Sequence, residues 1–249
     1  MDPGTRLRPY KKGSEYSYTF GVFPTIELCE KRPESLVKII SCSSALSTDG
    51  FSLLCKKAEE LSLKVITDDK TFYRLAPNES CHAIGVFMKY SCVLDANLPH
   101  IVLENPSDMG NLGTIIRTIS AFGIKNLSII APGADIFDPK TIRASMGSLF
   151  YINFCYFNTF NEYRHCYTEH TFYPFMLSAR TNLEELTLSK KKNFSLIFGN
   201  ESKGLDDSYL EVGIPVKINH LSTVDSLNLA SAVAIGTYIF TKGDRKNGL

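Results

Sequence analysis

Short apolar runs alternate along this chain with longer stretches that carry a helical apolar spacing. In the second half the runs cover residues 100–103, 126–130, 151–157, 172–177 and 195–198. Runs of that length, bounded by turn residues, predict buried strands. Between them a helix is predicted over 112–122, with Gly123 as the glycine just past its end. A shorter helix is expected over 138–143, because Asp138 caps and Pro139 suits a first turn. The run 214–218 breaks into a polar loop, 219–225. Ser226 is then read as the N-cap of a small and apolar helical segment reaching Phe240. Such alternation predicts an α/β fold with a mostly parallel sheet covered on both faces.

The first half has the same alternation on a smaller scale. Helices are expected at 25–31, 51–61 and 68–75, and strands at 36–41, 64–66 and 83–88. The organisation that follows is an arm (1–14), a compact α/β unit (15–92), a linker (93–99), a larger α/β domain (100–242) and a tail (243–249). The arm holds Arg6, Arg8, Lys11 and Lys12 among Pro and Gly and is read as solvated, with phosphate contact the sharper alternative. The Lys190–Lys192 run is read as a solvated loop.

Composition narrows the picture by exclusion. A hydrophobic content of 44% and a charged content of 21% are ordinary for a globular chain. No apolar run reaches the roughly 18 residues of a membrane span, and no apolar signal core opens the sequence. Seven scattered cysteines without C-x-x-C spacing fit reduced thiols, hence a cytoplasmic setting. The formal net charge of +1 rules out a blanket basic field, so any nucleic-acid recognition rests on a local patch.

Candidate chemistry concentrates between Leu196 and Phe240. The strand ending at Phe198 runs into Gly199-Asn200-Glu201-Ser202-Lys203-Gly204, where two glycines permit close backbone approach. With the loop after 214–218 and the start of the last helix, this places glycines, amides, a carboxylate and a carboxamide together at strand ends, where α/β sheets bind ligands. A zinc reading of Cys155, His165, Cys166 and His170 is disfavoured by their spacing, and the aromatic neighbours point to packing. No G-x-G-x-x-G follows the first strand of either half, which argues against a dinucleotide enzyme.

Three segments stand out: Asn111-Leu112-Gly113-Thr114-Ile115-Ile116-Arg117, Phe198-Gly199-Asn200-Glu201-Ser202-Lys203-Gly204-Leu205, and Ser226-Leu227-Asn228-Leu229-Ala230-Ser231-Ala232. Together they resemble the SpoU/TrmH branch of the knotted (SPOUT) RNA methyltransferases. The resemblance spans residue 99 to about 240, and Ile142-Arg143-Ala144-Ser145-Met146-Gly147 is similar to the family's middle segment. The N-terminal unit resembles the ribosomal-protein-like RNA-binding domain that often precedes this catalytic domain. Two departures stand out: a longer loop over 104–110, and Ile218-Asn219-His220 where relatives often carry Ile-Pro-Met.

The resemblance implies an α/β fold with a C-terminal trefoil knot, a homodimer that shares its active sites, and S-adenosylmethionine as methyl donor. It implies transfer to a ribose 2′-hydroxyl of RNA, ribosomal ahead of transfer RNA, with a catalytically silent RNA-binding relative as the alternative. Backbone at Gly199, Ile218 and Leu227 would hold the donor, with Ser178 a lesser candidate. Arg117 would activate the hydroxyl; because guanidinium is a poor base, the physical preference is a phosphate clamp and alkoxide stabiliser. Asn111 would orient Arg117 or the ribose, Glu201 would hold Arg117, and Ser226 and Asn228 would complete the frame. No metal is required.

Overall fold

The computed structural model describes residues 7–47, 49–76, 81–186 and 193–242. The start of the arm, with Arg6, and the Lys190–Lys192 run lie outside these residues, as does the 243–249 tail. In chain order the elements are β1 (Tyr16–Phe20), α1 (Val22–Lys31), β2 (Leu36–Ser41), α2 (Asp49–Glu60), β3 (Val65–Thr67), α3 (Asp69–Leu75) and β4 (Ala83–Met88). There follow β5 (His100–Glu104), α4 (Met109–Ala121), β6 (Asn126–Ile130), α5 (Pro139–Ala144), β7 (Asn153–Phe157), α6 (Phe160–Cys166) and β8 (Thr171–Pro174). The chain closes with β9 (Thr181–Asn182), β10 (Phe194–Phe198), β11 (Val216–Lys217) and α7 (Leu229–Phe240).

Two compact units form. The first contains the chain up to Tyr90 together with Asp135–Tyr151. Its sheet has the order β1-β4-β2-β3; β4 is antiparallel to both neighbours, and β2 pairs with β3 in parallel. Tyr18, Leu28, Ile39, Leu54, Phe72 and Phe87 are fully buried in its core. Strand β1 has no counterpart among the predicted elements, because Ser17 and Thr19, buried on either side of Tyr18, are polar and leave no apolar run. Both are satisfied: Ser17 Oγ donates to the Phe137 carbonyl at 2.5 Å, and Thr19 Oγ1 accepts from Gly85 N–H at 2.9 Å. The 135–151 segment, which the sequence reading kept within 100–242, joins this unit. Here α5 packs on β1, Phe137 and Phe150 meet the Phe87 ring, and Gly147 lies against Glu27, where a Cβ would be only 2.9 Å away.

The second unit holds residues from Ser91 to Ala134 and from Ile152 onward. Its five strands are all parallel, in the order β7-β6-β5-β10-β8. Every residue of β6 and β10 is buried, as expected for inner strands of a sheet covered on both faces. From β5 the chain winds one way through β6 to β7, while β8 and β10 lie on the other side. The winding therefore reverses between β5 and β10. A small parallel pair, β9 with β11, borders the same end.

Several predicted boundaries shift for local reasons. Helix α4 starts at Met109 because Asp108 is its cap, accepting from Asn111 N–H at 2.7 Å. The cap of α7 is Asn228, not Ser226: its Oδ1 accepts from Ala230 N–H at 2.9 Å and Ser231 N–H at 3.4 Å. Gly123 follows α4 with φ +79°, as read from the sequence. Helix α6 had been hidden in the aromatic run between Phe150 and Tyr167, where it buries Tyr163 completely.

Candidate active site

A cavity of about 430 Å³ opens at the carboxyl ends of β10 and β8. Phe175, Phe198, Val216 and Leu229 give it an apolar wall; residues 199–205 form one rim, and Asp225, Ser226 and Leu227 another. Of the residues singled out in the sequence, Ser178, Gly199, Glu201, Ile218, Ser226 and Leu227 line it directly.

The glycine loop owes its shape to a contact within itself. A Cβ on Gly199 would fall 2.1 Å from the Gly204 carbonyl carbon and 2.4 Å from Leu205 N, well inside contact distance. Gly204 adopts φ +68°, and its N–H donates to the Asn200 carbonyl at 2.9 Å. Gly199 therefore admits the backbone of its own turn, a use the sequence reading did not include. Behind the wall, the Phe175 and Phe198 rings stack with centroids 4.4 Å apart, and Gly236 of α7 lets the helix lie against them.

Glu201 is the hub. Its carboxylate accepts from Ser107 N–H (3.0 Å), Ser107 Oγ (2.8 Å), Asp108 N–H (3.1 Å), Asn111 Nδ2 (3.3 Å) and Asn200 Nδ2 (3.3 Å). Asn228 Nδ2 in turn donates to Asn111 Oδ1 at 3.1 Å. One hydrogen-bonded chain, Asn228–Asn111–Glu201, thus ties α7, α4 and the glycine loop together. Burial pushes the Glu201 carboxyl up, but the hydrogen bonds from Ser107 and Asp108 outweigh it and hold the group below the ordinary carboxylate range. It is an anion placed at the N-terminal end of α4, where the helix dipole favours one.

Arg117 stands elsewhere. It is exposed on α4, and Glu201 does not hold it, contrary to the sequence expectation. Six residues along a helix advance about 9 Å and turn the side chain about 120° away from Asn111, so one anion at the helix start cannot serve both. Asn111 itself is the third helical residue, which frees its side chain to bridge Glu201 and Asn228.

Sequence reasoning missed three contributors. Ser107 and Asp108 supply amides to Glu201, and the Asp108-to-Asn111 spacing was the available capping signal. Asn200 ties the glycine loop to the β5 loop through the Asn105 carbonyl at 2.7 Å. His220, which its place beside the donor loop marks in the sequence as a lining residue, does line the cavity. Its Nδ1 lies 3.1 Å from the Leu221 carbonyl and so carries the proton, which leaves Nε2 as an acceptor, buried and without a partner among the described residues.

The zinc candidates go to different uses. His170 joins a buried network described below, while Cys155 and Cys166 are free thiols.

A parallel sheet with a cavity at the carboxyl ends of β8 and β10, rimmed by a glycine turn and a helix start, defines an α/β protein with a candidate ligand site at its strand ends. Residues 99–238 match the SpoU rRNA Methylase family, and the chain belongs to that family. A 23S rRNA (guanosine(2553)-2′-O)-methyltransferase of Bacillus subtilis (strain 168) is 32% identical over 140 residues, 55% of this chain and 56% of that protein. The chain thus spans little more than half the length of this relative. Solved structures share the fold, two of them with the methyl donor bound. An AdoMet-bound rRNA methyltransferase from Sinorhizobium meliloti superposes with TM-score 0.75 at 22% identity, over 94% of this chain and 88% of that one. The SpoU methyltransferase AviRb from Streptomyces viridochromogenes, in complex with AdoMet, gives 0.75 at 20%, over 94% and 92%.

Proposed function

We propose that this protein is an S-adenosylmethionine-dependent methyltransferase that methylates a ribose 2′-hydroxyl, in ribosomal RNA ahead of transfer RNA. The observation that carries the reading is the Asn228–Asn111–Glu201 chain, because it binds the family's three motif segments into one frame beside one cavity. Family membership and the 2′-O-methyltransferase name of the Bacillus relative support it.

The residues present fit the donor. The cavity volume is within the range of small-ligand sites, its wall is apolar enough for a base, and the lone acceptor at His220 Nε2 calls for a donor group from a ligand. When bound, S-adenosylmethionine supplies an electrophilic methyl group on a sulfonium centre. Main chain at Gly199, Ile218 and Leu227 holds it, with Ser178 at the margin, while Ser226 and Asn228 keep the rim in register. Asn111, fixed on both sides, orients the ribose. Arg117 clamps a substrate phosphate and stabilises the emerging alkoxide, and its exposure suits service to the cavity of a partner protomer. With this reading go a homodimer, a trefoil knot at α7, an RNA-binding role for the 15–92 unit and work in the cytoplasm.

The test supplies the purified chain with methyl-labelled donor and with ribosomal or transfer RNA lacking its modifications, then maps ribose methylation. Asn111→Ala and Arg117→Ala are expected to abolish transfer, while S-adenosylhomocysteine binding by calorimetry stays near wild type. Near-normal turnover in both variants would refute these roles.

A further inference from the structure

The first unit carries a cavity of its own, about 440 Å³, at the corner where β2, β3 and α3 meet. Its apolar floor is Leu7, Ile40 and Ile66, and Ile66 is 41% exposed. Around that floor stand Lys38, Lys70 and Arg74, with Asp68 as the one acid lining it.

The sequence places these cations together by simple periodicity. Lys38 and Ile40 are two apart on β2 and share a face of the sheet. Lys70 and Arg74 are four apart on α3, a spacing that sets like charges side by side and costs helix stability unless something negative lies between them. Asp68, which caps α3 by accepting from Thr71 N–H at 3.0 Å, is an anion that offsets one of these charges. Three cations against one acid leave two positive charges in excess at this corner, on a chain whose total is +1.

A second observation points the same way. Arg74 donates through Nη2 to the Leu7 carbonyl at 3.3 Å, yet its Nε is buried and without a hydrogen-bond partner among the described residues. The Nε itself is enclosed, but the guanidinium keeps its charge, and an anionic oxygen in the groove offsets it. A bare anion has no use for an apolar floor; a ribose-phosphate unit with its base has use for both.

We infer that the groove of Lys38, Lys70, Arg74 and Ile66 holds a nucleotide unit of the substrate RNA, its phosphate among the three cations and its sugar or base over Ile66. The inference rests on the proposed RNA methyl transfer and adds the surface by which the first unit grips that substrate. Because the contact is to phosphate, it supplies affinity and register rather than sequence discrimination.

Fluorescence anisotropy with a labelled RNA hairpin, titrated across a series of KCl concentrations, tests it on the full chain. Lys38→Ala and Lys70→Ala are each expected to weaken binding several-fold and to reduce the slope of log K against log salt by about 0.7–0.9. S-adenosylhomocysteine affinity should not move and the thermal midpoint should not fall; Lys70 is exposed, and its removal relieves the like-charge pair with Arg74. Unchanged slopes in both variants, with wild type still methylating RNA, overturn the groove alone. A wild-type chain that binds no RNA overturns the functional reading beneath it. Displacement of the hairpin by free adenosine monophosphate at equal phosphate concentration assigns the groove to a small nucleotide and also overturns the proposal.

Discussion

His100, at the start of β5, is fully buried and sits in a chain of polar groups within the second unit. Its Nε2 faces the Asp95 carbonyl at 2.9 Å and its Nδ1 the Tyr163 hydroxyl at 2.9 Å. Tyr163 contacts Ser195 Oγ at 2.6 Å, Ser195 contacts His170 Nδ1 at 2.8 Å, and His170 Nε2 faces the Ala96 carbonyl at 2.8 Å. Carbonyls only accept, so both Nε2 atoms carry protons, and two hydroxyl protons remain for three contacts. One more proton would complete the set, but burial opposes the charge: it pushes His100 down to about 4, with the neighbouring His170 adding to the effect. His170 is lowered as well, by burial first. The unfolded chain therefore binds protons that the folded chain refuses between about pH 6.5 and 4. Stability is complete above that window and falls as acid is added, by on the order of 3 kcal/mol for His100. Urea midpoints measured from pH 7 to 4.5 should drop accordingly, and His100→Gln should show a shallower decline. Glu201 acts lower on the scale, since its pKa is depressed; its contribution is lost only as pH falls below the ordinary carboxylate range of about 4.3. A flat profile between pH 6.5 and 5 would contradict the histidine account.

At the scale of elements, α7 shows how one residue serves fold and site together. Asn228 caps the helix through Oδ1 and reaches Asn111 through Nδ2. Two substitutions separate these duties. Asn228→Ala removes both and should cost about 1 kcal/mol of stability through the lost cap, along with activity. Asn228→Asp keeps a capping oxygen but has no amide to offer Asn111, so stability should stay near wild type while methyl transfer falls. Thermal midpoints set beside initial rates make the comparison; equal activity in the Asp variant would reduce Asn228 to a cap. The same helix packs on α4 and lies against Phe175 and Phe198 through Gly236, where a Cβ would stand 2.8 Å from the Phe175 ring.

For the whole molecule, the position of Arg117 has a consequence. A residue six places after Asn111 points away from the Glu201 frame, and Arg117 does not line the cavity beside that frame. Under the proposed dimer, Asn111→Ala and Arg117→Ala damage different halves of a shared site. Mixing the two inactive variants and allowing subunits to exchange should restore part of the activity, because some heterodimers then contain one intact site. No recovery, in a mixture shown by sedimentation to contain heterodimers, would mean that each chain uses its own arginine. Among the described residues no helix is long and apolar enough to cross a membrane.

Read alone, the sequence determined the parallel α/β plan of the second unit, most strand positions and the loops that rim the cavity. The physical reason is that fully buried strands are written as apolar runs, and loops at strand ends as glycine and small polar residues. Strand β1 and helix α6 escaped, the first because the polar Ser17 and Thr19 flank its buried Tyr18 and leave no apolar run, and the second because its aromatic residues carry no clear period. Who bonds to whom was decided by tertiary structure. Glu201 meets Ser107 and Asp108 rather than Arg117, Gly199 makes way for Gly204, and 135–151 leaves its neighbours in sequence to pack with the first unit. Such choices depend on where the winding of the sheet brings distant loops together, and that geometry is set by the packing of the whole chain rather than by any local run of residues.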